Sequence, residues 1–290
     1  MSNKKELKIS NKSDRPDNIV LRDHLLIEKA MEYEKRLPSF MKDYFVYLKS
    51  SVAVSTRAAY LEDIIFFCEY IVNESGLTDK DDMKNLTVED FKNIKSRDVN
   101  LFLGDYCPRY YKEREDHTFV YENNNRALAR KKSSISTLFK FLYRNEQLPT
   151  NITDGFNPIK LPKPQPDAIK RLDIDEVMVM LDAVESGEGL TEKEKVYWEK
   201  TKLRDKAILA LFVTYGLRLN ELRELNISSF NFSRGEFKIY RKRGKEVLMP
   251  INKTCENVVI DYINYERPKS EDLPEDVQDA LFLSLQRKRL

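Results

Sequence analysis

A chain of 290 residues exceeds what a single hydrophobic core usually organises, so two domains are expected. Hydrophobic residues make up 41% and charged residues 34%, a balance that gives packed helices with solvated faces and excludes a disordered chain. The formal net charge of +2 decides nothing about a nucleic-acid partner, because local clustering governs that.

Cys68, Cys107 and Cys255 are far apart, odd in number and without metal-ligand spacing, which points to a reduced, cytoplasmic compartment. Met1 to Lys12 is polar with no apolar centre, so it does not read as a signal peptide, and no later stretch is apolar enough to span a bilayer. A soluble protein without a membrane partner is expected.

Residues 1–24 read as a flexible polar tail. Residues 25–150 read as a helical domain, with no Gly-rich turns and no sustained strand alternation, so the stretch from Tyr106 to Asn125 is expected to be helical too. A helix beginning near Ser55 carries Tyr60, Ile64, Phe67 and Ile71 on one buried stripe. A second, from about Asn123 to Tyr143, places Leu128, Ile135, Leu138, Phe139 and Leu142 on its apolar side. On its other side Arg126, Arg130, Ser133, Thr137, Lys140 and Arg144 recur at helical spacing, and with Lys131 and Lys132 the segment from 126 to 145 has six cations and no acid. Such a face suits a phosphate backbone, and an ordinary solvated face is the alternative.

Four prolines, Pro158, Pro162, Pro164 and Pro166, mark an extended linker over 151–168. A second domain, 169–290, opens with a helix capped by Asp173 or Asp175, followed by one from about Thr201 to Tyr215 that stops at Gly216. A short helix then carries Arg218 and Leu222. Arg218 stands at the start of that helix, with Glu221 three residues on and within reach to orient it; a plain surface ion pair is the alternative. Glu236–Tyr240 and Val247–Ile251 read as the strands of a hairpin whose turn, Arg241-Lys242-Arg243-Gly244-Lys245, holds four cations in five residues. This turn either reaches into a groove or is solvated in the ordinary way. The sequence has no repeat and no Gly-rich phosphate loop, so ATP is not implied.

Thr214-Tyr215-Gly216-Leu217-Arg218-Leu219-Asn220-Glu221-Leu222 resembles the first arginine box of the tyrosine recombinases of the phage integrase and Xer type. The apolar strand, Lys242, Lys245 and the strand ending in Pro250 match the lysine hairpin that follows it in that family. The helix around Arg130 and the segment Ser55-Thr56-Arg57-Ala58-Ala59-Tyr60 likewise resemble the family's DNA-clamping domain, and the insert and linker look most like the single-recombinase Xer branch.

The resemblance implies a mainly α protein: an N-terminal helical, SAM-like core-binding domain, then an α+β catalytic domain with a small three-stranded antiparallel sheet. It also implies site-specific DNA recombination, in which a tyrosine attacks the scissile phosphate to leave a 3′-phosphotyrosyl link and a free 5′-hydroxyl, without metal or nucleotide cofactor. Chromosome dimer resolution or element integration are the roles it suggests. Arg218 would clamp the phosphate, Lys242 would protonate the departing oxygen, and Glu221 and Lys245 would support them. Thr56, Arg57, Arg126, Arg130, Lys131, Lys132, Lys140, Arg241 and Arg243 would contact DNA. The implied partner is a double-stranded inverted-repeat site, held by a homo-tetramer associated with the nucleoid.

The family's His-x-x-Arg box and late nucleophilic tyrosine are missing from these 290 residues. His24 and His117 lie upstream and neither begins such a box, while Tyr262 and Tyr265 read as core or surface residues. The expectation is therefore a catalytic domain incomplete at its C-terminus, a truncated piece unable to cleave DNA by itself. The alternatives are a non-catalytic DNA-binding relative, or a helical interaction module with solvated basic faces.

Overall fold

The computed structural model describes residues 15–114, 117–162, 172–241 and 245–290. The chain divides into two compact units, Val20–Gln165, and Met1–Ile19 together with Pro166–Leu290.

In the first unit the principal helices are α1 (Asp17–Arg36) from Val20 onward, α2 (Lys42–Ser51) and α3 (Val54–Asn73), with two short ones, α4 (Val88–Asn93) and α5 (Ser96–Leu101). A π-turn over Phe102–Tyr106 leads into strands β1 (Arg109–Arg114) and β2 (His117–Glu122), after which α6 (Asn125–Arg144) completes the unit. The long apolar stripes of α3 and α6 pack on each other: Leu61, Ile64, Phe67 and Ile71 meet Leu128, Ile135, Leu138 and Phe139 in one buried cluster. Phe67 and Phe139 stand edge to face with centroids 6.1 Å apart, the geometry that the ring quadrupole favours.

Two expectations are corrected here. The stretch read as tail up to residue 24 is helical from Asp17 onward, with Ile19 buried. The run of Lys, Ser, Asn and Asp before it hid a helix start in which Asp17 sits favourably in the first turn. The stretch read as a helical insert contains an antiparallel pair, β1 on β2, in register from Arg109↔Glu122 to Arg114↔His117. The pair is written in charged and aromatic residues: Tyr110 stacks on Tyr121 at 5.1 Å and packs tilted against Phe66 at 4.6 Å, which anchors one face to the core.

In the second unit α7 (Ile174–Ser186) is capped by Asp173, whose main-chain N–H donates to Glu176 at 2.9 Å. α8 (Glu192–Trp198), which the sequence reading passed over, docks by donating from the Trp198 indole to the Val184 carbonyl at 2.7 Å. α9 (Lys202–Tyr215) ends at Gly216, which takes φ 57°, a left-handed conformation that glycine adopts without strain. α10 (Leu219–Arg223) leads to a three-stranded antiparallel sheet in the order β3 (Phe230–Asn231), β4 (Glu236–Arg241), β5 (Lys245–Pro250), and α11 (Lys253–Tyr265) packs beside α9. Leu211, Leu222, Phe237, Ile239 and Val259 form this unit's core. The mainly helical fold with a small antiparallel sheet agrees with the sequence expectation. Among the described residues, no helix is long and apolar enough to cross a membrane, and no group of His, Cys, Asp or Glu is gathered as a metal site.

Candidate nucleic-acid interface and phosphate site

α6 starts at Asn124, whose side chain accepts from the Ala127 N–H at 3.0 Å, and its buried stripe fixes which face meets the solvent. On that outer face Arg126, Ser133, Lys140 and Arg144 are exposed. The extended segment leading out of the unit runs back along it. Asn125 donates to the Lys160 carbonyl at 2.7 Å and Lys132 to the Asn157 carbonyl at 2.8 Å. Two open troughs result, one lined by Asn125, Arg126 and Lys160, the other by Lys132, Ser133, Thr137 and Lys140. Cations lining open troughs with no acid among the lining residues suit a polyanion.

Burial sorts the cations expected to touch DNA. Lys131 follows Leu128 by three residues and precedes Ile135 by four, so it falls on the buried stripe; its ammonium donates to Asp63 at 3.0 Å and lies 4.7 Å from the Phe66 ring centroid. Arg57 is likewise in step with Leu61 and Ile64, and its side chain, 6% exposed, is paired with Glu34 at 2.6 Å. Neither side chain is available to a DNA backbone, so both assignments are corrected to internal ion pairs. Thr56 is half-buried on α3. Arg130 stands between the two groups: it donates to the buried Asp63 and to the Ala59 carbonyl at 3.2 Å, yet remains 44% exposed.

The sequence reading did not single out Asp63. It follows Tyr60 by three residues on a stripe that is otherwise apolar, and an acid placed there needs buried cationic partners. Arg130, Lys131 and Ser134 supply them. Burial pushes the Asp63 carboxyl up from its ordinary range, against the pull of Lys131 and Arg130.

In the second unit the turn at Gly216 buries Leu217 and delivers Arg218 to the start of α10. The Glu221 carboxylate takes the Arg218 main-chain N–H at 3.0 Å and its guanidinium at 2.8 Å. Glu221 is 5% exposed and Arg218 73%, so a buried acid pins a cation whose head is in solvent. Burial alone would push the Glu221 carboxyl up. The two hydrogen bonds from Arg218, with the charges of Arg218 and Arg241, hold it below its ordinary range. Arg241 ends β4, opposite Lys245 on β5, and both are exposed. Lys242 and Arg243 lie outside the described residues. The structure thus pairs Arg218 with Glu221, and Arg241 lies close enough for its charge to act on Glu221.

Tyr262 is a core residue: it stacks on Phe282, its hydroxyl accepts from the Leu283 N–H at 3.3 Å, and burial pushes its phenol up to about 12. Tyr265 is on the surface. His24 lies beside Glu28, and His117 stacks on Phe119.

Residues 170–290 match the phage integrase family. Tyrosine recombinase XerS of Streptococcus thermophilus (strain CNRZ 1066) is 26% identical over 285 residues, spanning 91% of this chain and 77% of that protein. Tyrosine recombinase XerC of Syntrophus aciditrophicus (strain SB) is 28% identical over 229 residues, spanning 79% of this chain and 64% of that one. Among solved structures, the pre-cleavage complex of the XerH site-specific recombinase bound to difH substrate shares the fold. Its TM-score is 0.50 at 17% identity, with 97% of this chain and 70% of that chain covered.

Proposed function

We infer, for a chain that is a tyrosine recombinase of the Xer type with the function of site-specific DNA recombination, that its two units divide the work between gripping DNA and addressing one phosphate. The first grips the backbone of double-stranded DNA through the outer face of α6, using Arg126, Arg130, Lys132 and Lys140. The second presents Arg218 to a scissile phosphate. The observation that carries this reading is the Arg218–Glu221 pair, in which a nearly buried carboxylate holds a solvent-facing guanidinium at 2.8 Å. A planar donor held in this way can take two phosphate oxygens and stabilise the charge that builds up on them. Glu221 is a positioning residue. Lys242, with Lys245 at the start of β5, would protonate the departing 5′-oxygen, and Arg241 and Arg243 would add charge beside it.

The nucleophile in this reading is a tyrosine that attacks phosphorus, forms a 3′-phosphotyrosyl bond and expels the 5′-oxygen, which takes a proton. Neither Tyr262 nor Tyr265 suits that role. Tyr262 is sealed in the core, and these 290 residues hold no His-x-x-Arg. We therefore read this stretch as binding DNA without cutting it by itself. An inverted-repeat site and a tetramer on DNA belong to the same reading, as what the resemblance to this family implies. So does a role in chromosome dimer resolution.

The test uses the 290-residue chain on duplexes carrying inverted repeats, with a nick placed to trap any covalent product. Salt-sensitive binding with no protein–DNA adduct on a denaturing gel is expected. A phosphotyrosyl adduct would overturn the non-cleaving reading, and absence of binding at low salt would overturn the DNA-gripping one.

A further inference from the structure

Asp63 belongs to no part of the reaction, yet it is fully buried on α3 and saturated: Lys131 donates to one oxygen at 3.0 Å, while Arg130 and Ser134 donate to the other. Of the three, only Arg130 reaches the solvent-facing side of α6. Its Nη1 is consumed by Asp63 and by the Ala59 carbonyl at 3.2 Å, whereas Nε and Nη2 have no partner among the described residues. An arginine held by a single nitrogen has its remaining edge fixed in direction, and that edge carries the parallel N–H pair that matches two phosphate oxygens.

We propose that Asp63 is a positioning residue for DNA-backbone recognition, gripping Arg130 from within so that its Nε–Nη2 edge is presented outward as a fixed fork for one phosphate. This rests on the reading of α6 as the DNA-gripping face. The geometry gives it an unusual sign. Asp63 is an acid beneath a polyanion-binding surface, and by charge alone its removal raises the net charge by one and strengthens binding. By positioning, its removal weakens binding, because the guanidinium must then be ordered at the moment of contact.

The experiment measures affinity of the full 290-residue chain for a short duplex across a KCl series by fluorescence anisotropy. Asp63→Asn, Arg130→Gln, the double variant and Arg130→Lys are compared with the unsubstituted chain, and Lys140→Ala serves as an independent probe of the α6 face. Asp63→Asn is expected to weaken binding about fivefold, the scale of immobilising one long side chain. In the Arg130→Gln background the same change should weaken it no further. A loss that persisted there would mean that Asp63 acts only through general structure, by way of Lys131, and would overturn the proposal. So would tighter or unchanged binding by Asp63→Asn when Lys140→Ala weakens it. Arg130→Lys keeps the charge and loses the fork, so it decides the matter if Asp63→Asn does not fold: weakening supports the proposal and wild-type affinity overturns it. If neither the unsubstituted chain binds nor Lys140→Ala has an effect, the reading of α6 fails and the proposal fails with it.

Discussion

On α6, six cations are spread around a 20-residue helix, and burial divides them: Lys131 is spent inside the unit, Arg130 is half-spent, and Arg126 and Lys140 are left to the solvent. At the Gly216–Glu221 turn a single cation has one dedicated acid three residues away, and their contact follows from the turn itself. On α6 the solvent-facing Arg126 and Lys140 make a diffuse field whose members are individually replaceable. The turn makes one directed donor. The contrast matches two tasks, holding a long backbone at many weak points and addressing one phosphate at a single strong one.

The largest effect that would sharpen this contrast concerns a cation already spent. Arg57→Ala takes from Glu34 its partner at 2.6 Å and leaves only Lys49 at 3.8 Å, and the first unit should lose about 2 kcal/mol in denaturant unfolding, less than when a buried charge is left wholly unpaired. DNA affinity of the folded fraction should not change, and a specific loss of affinity at full stability would return Arg57 to the interface. Lys140→Ala and Arg126→Ala should behave oppositely. Each should leave stability within about 0.5 kcal/mol and lower the slope of log K against log salt by about 0.9. Equal slopes for wild type and both variants would break the picture of a diffuse field.

How much of this was legible in the sequence differs between the two regions. The Arg218 site was readable because every feature is local: a glycine stop, a helix start and an i,i+3 spacing leave little freedom for the pair. The apolar stripes of α3 and α6 were readable by period. Which cations those stripes would swallow was not, although Arg57 and Lys131 fall in step with them, because charged residues are rarely buried and the partners that permit it, Glu34 and Asp63, are distant in sequence. Asp63 could have been found as an acid on a stripe facing a basic helix. The β1–β2 pair escaped because its strands are made of charged and aromatic residues with no regular apolar–polar alternation.

The smallest effect tests the directed donor itself. Glu221→Gln removes the carboxylate that receives both the main-chain and side-chain donors of Arg218, and the cost should be about 1 kcal/mol, the scale of a helix-start capping interaction. Its pH dependence is diagnostic. The Glu221 carboxyl is held below its ordinary 4.5 in the folded chain, so the folded state binds fewer protons than the unfolded state in that window. The stability it contributes is therefore fully present above about pH 4.5 and is lost as pH falls through the lowered value. Unfolding midpoints of wild type and Glu221→Gln should differ at neutral pH and converge in acid. A gap that stays constant down through that window would mean that the ionised carboxylate does not hold Arg218, and the contrast between a directed donor and a diffuse field would lose its second member.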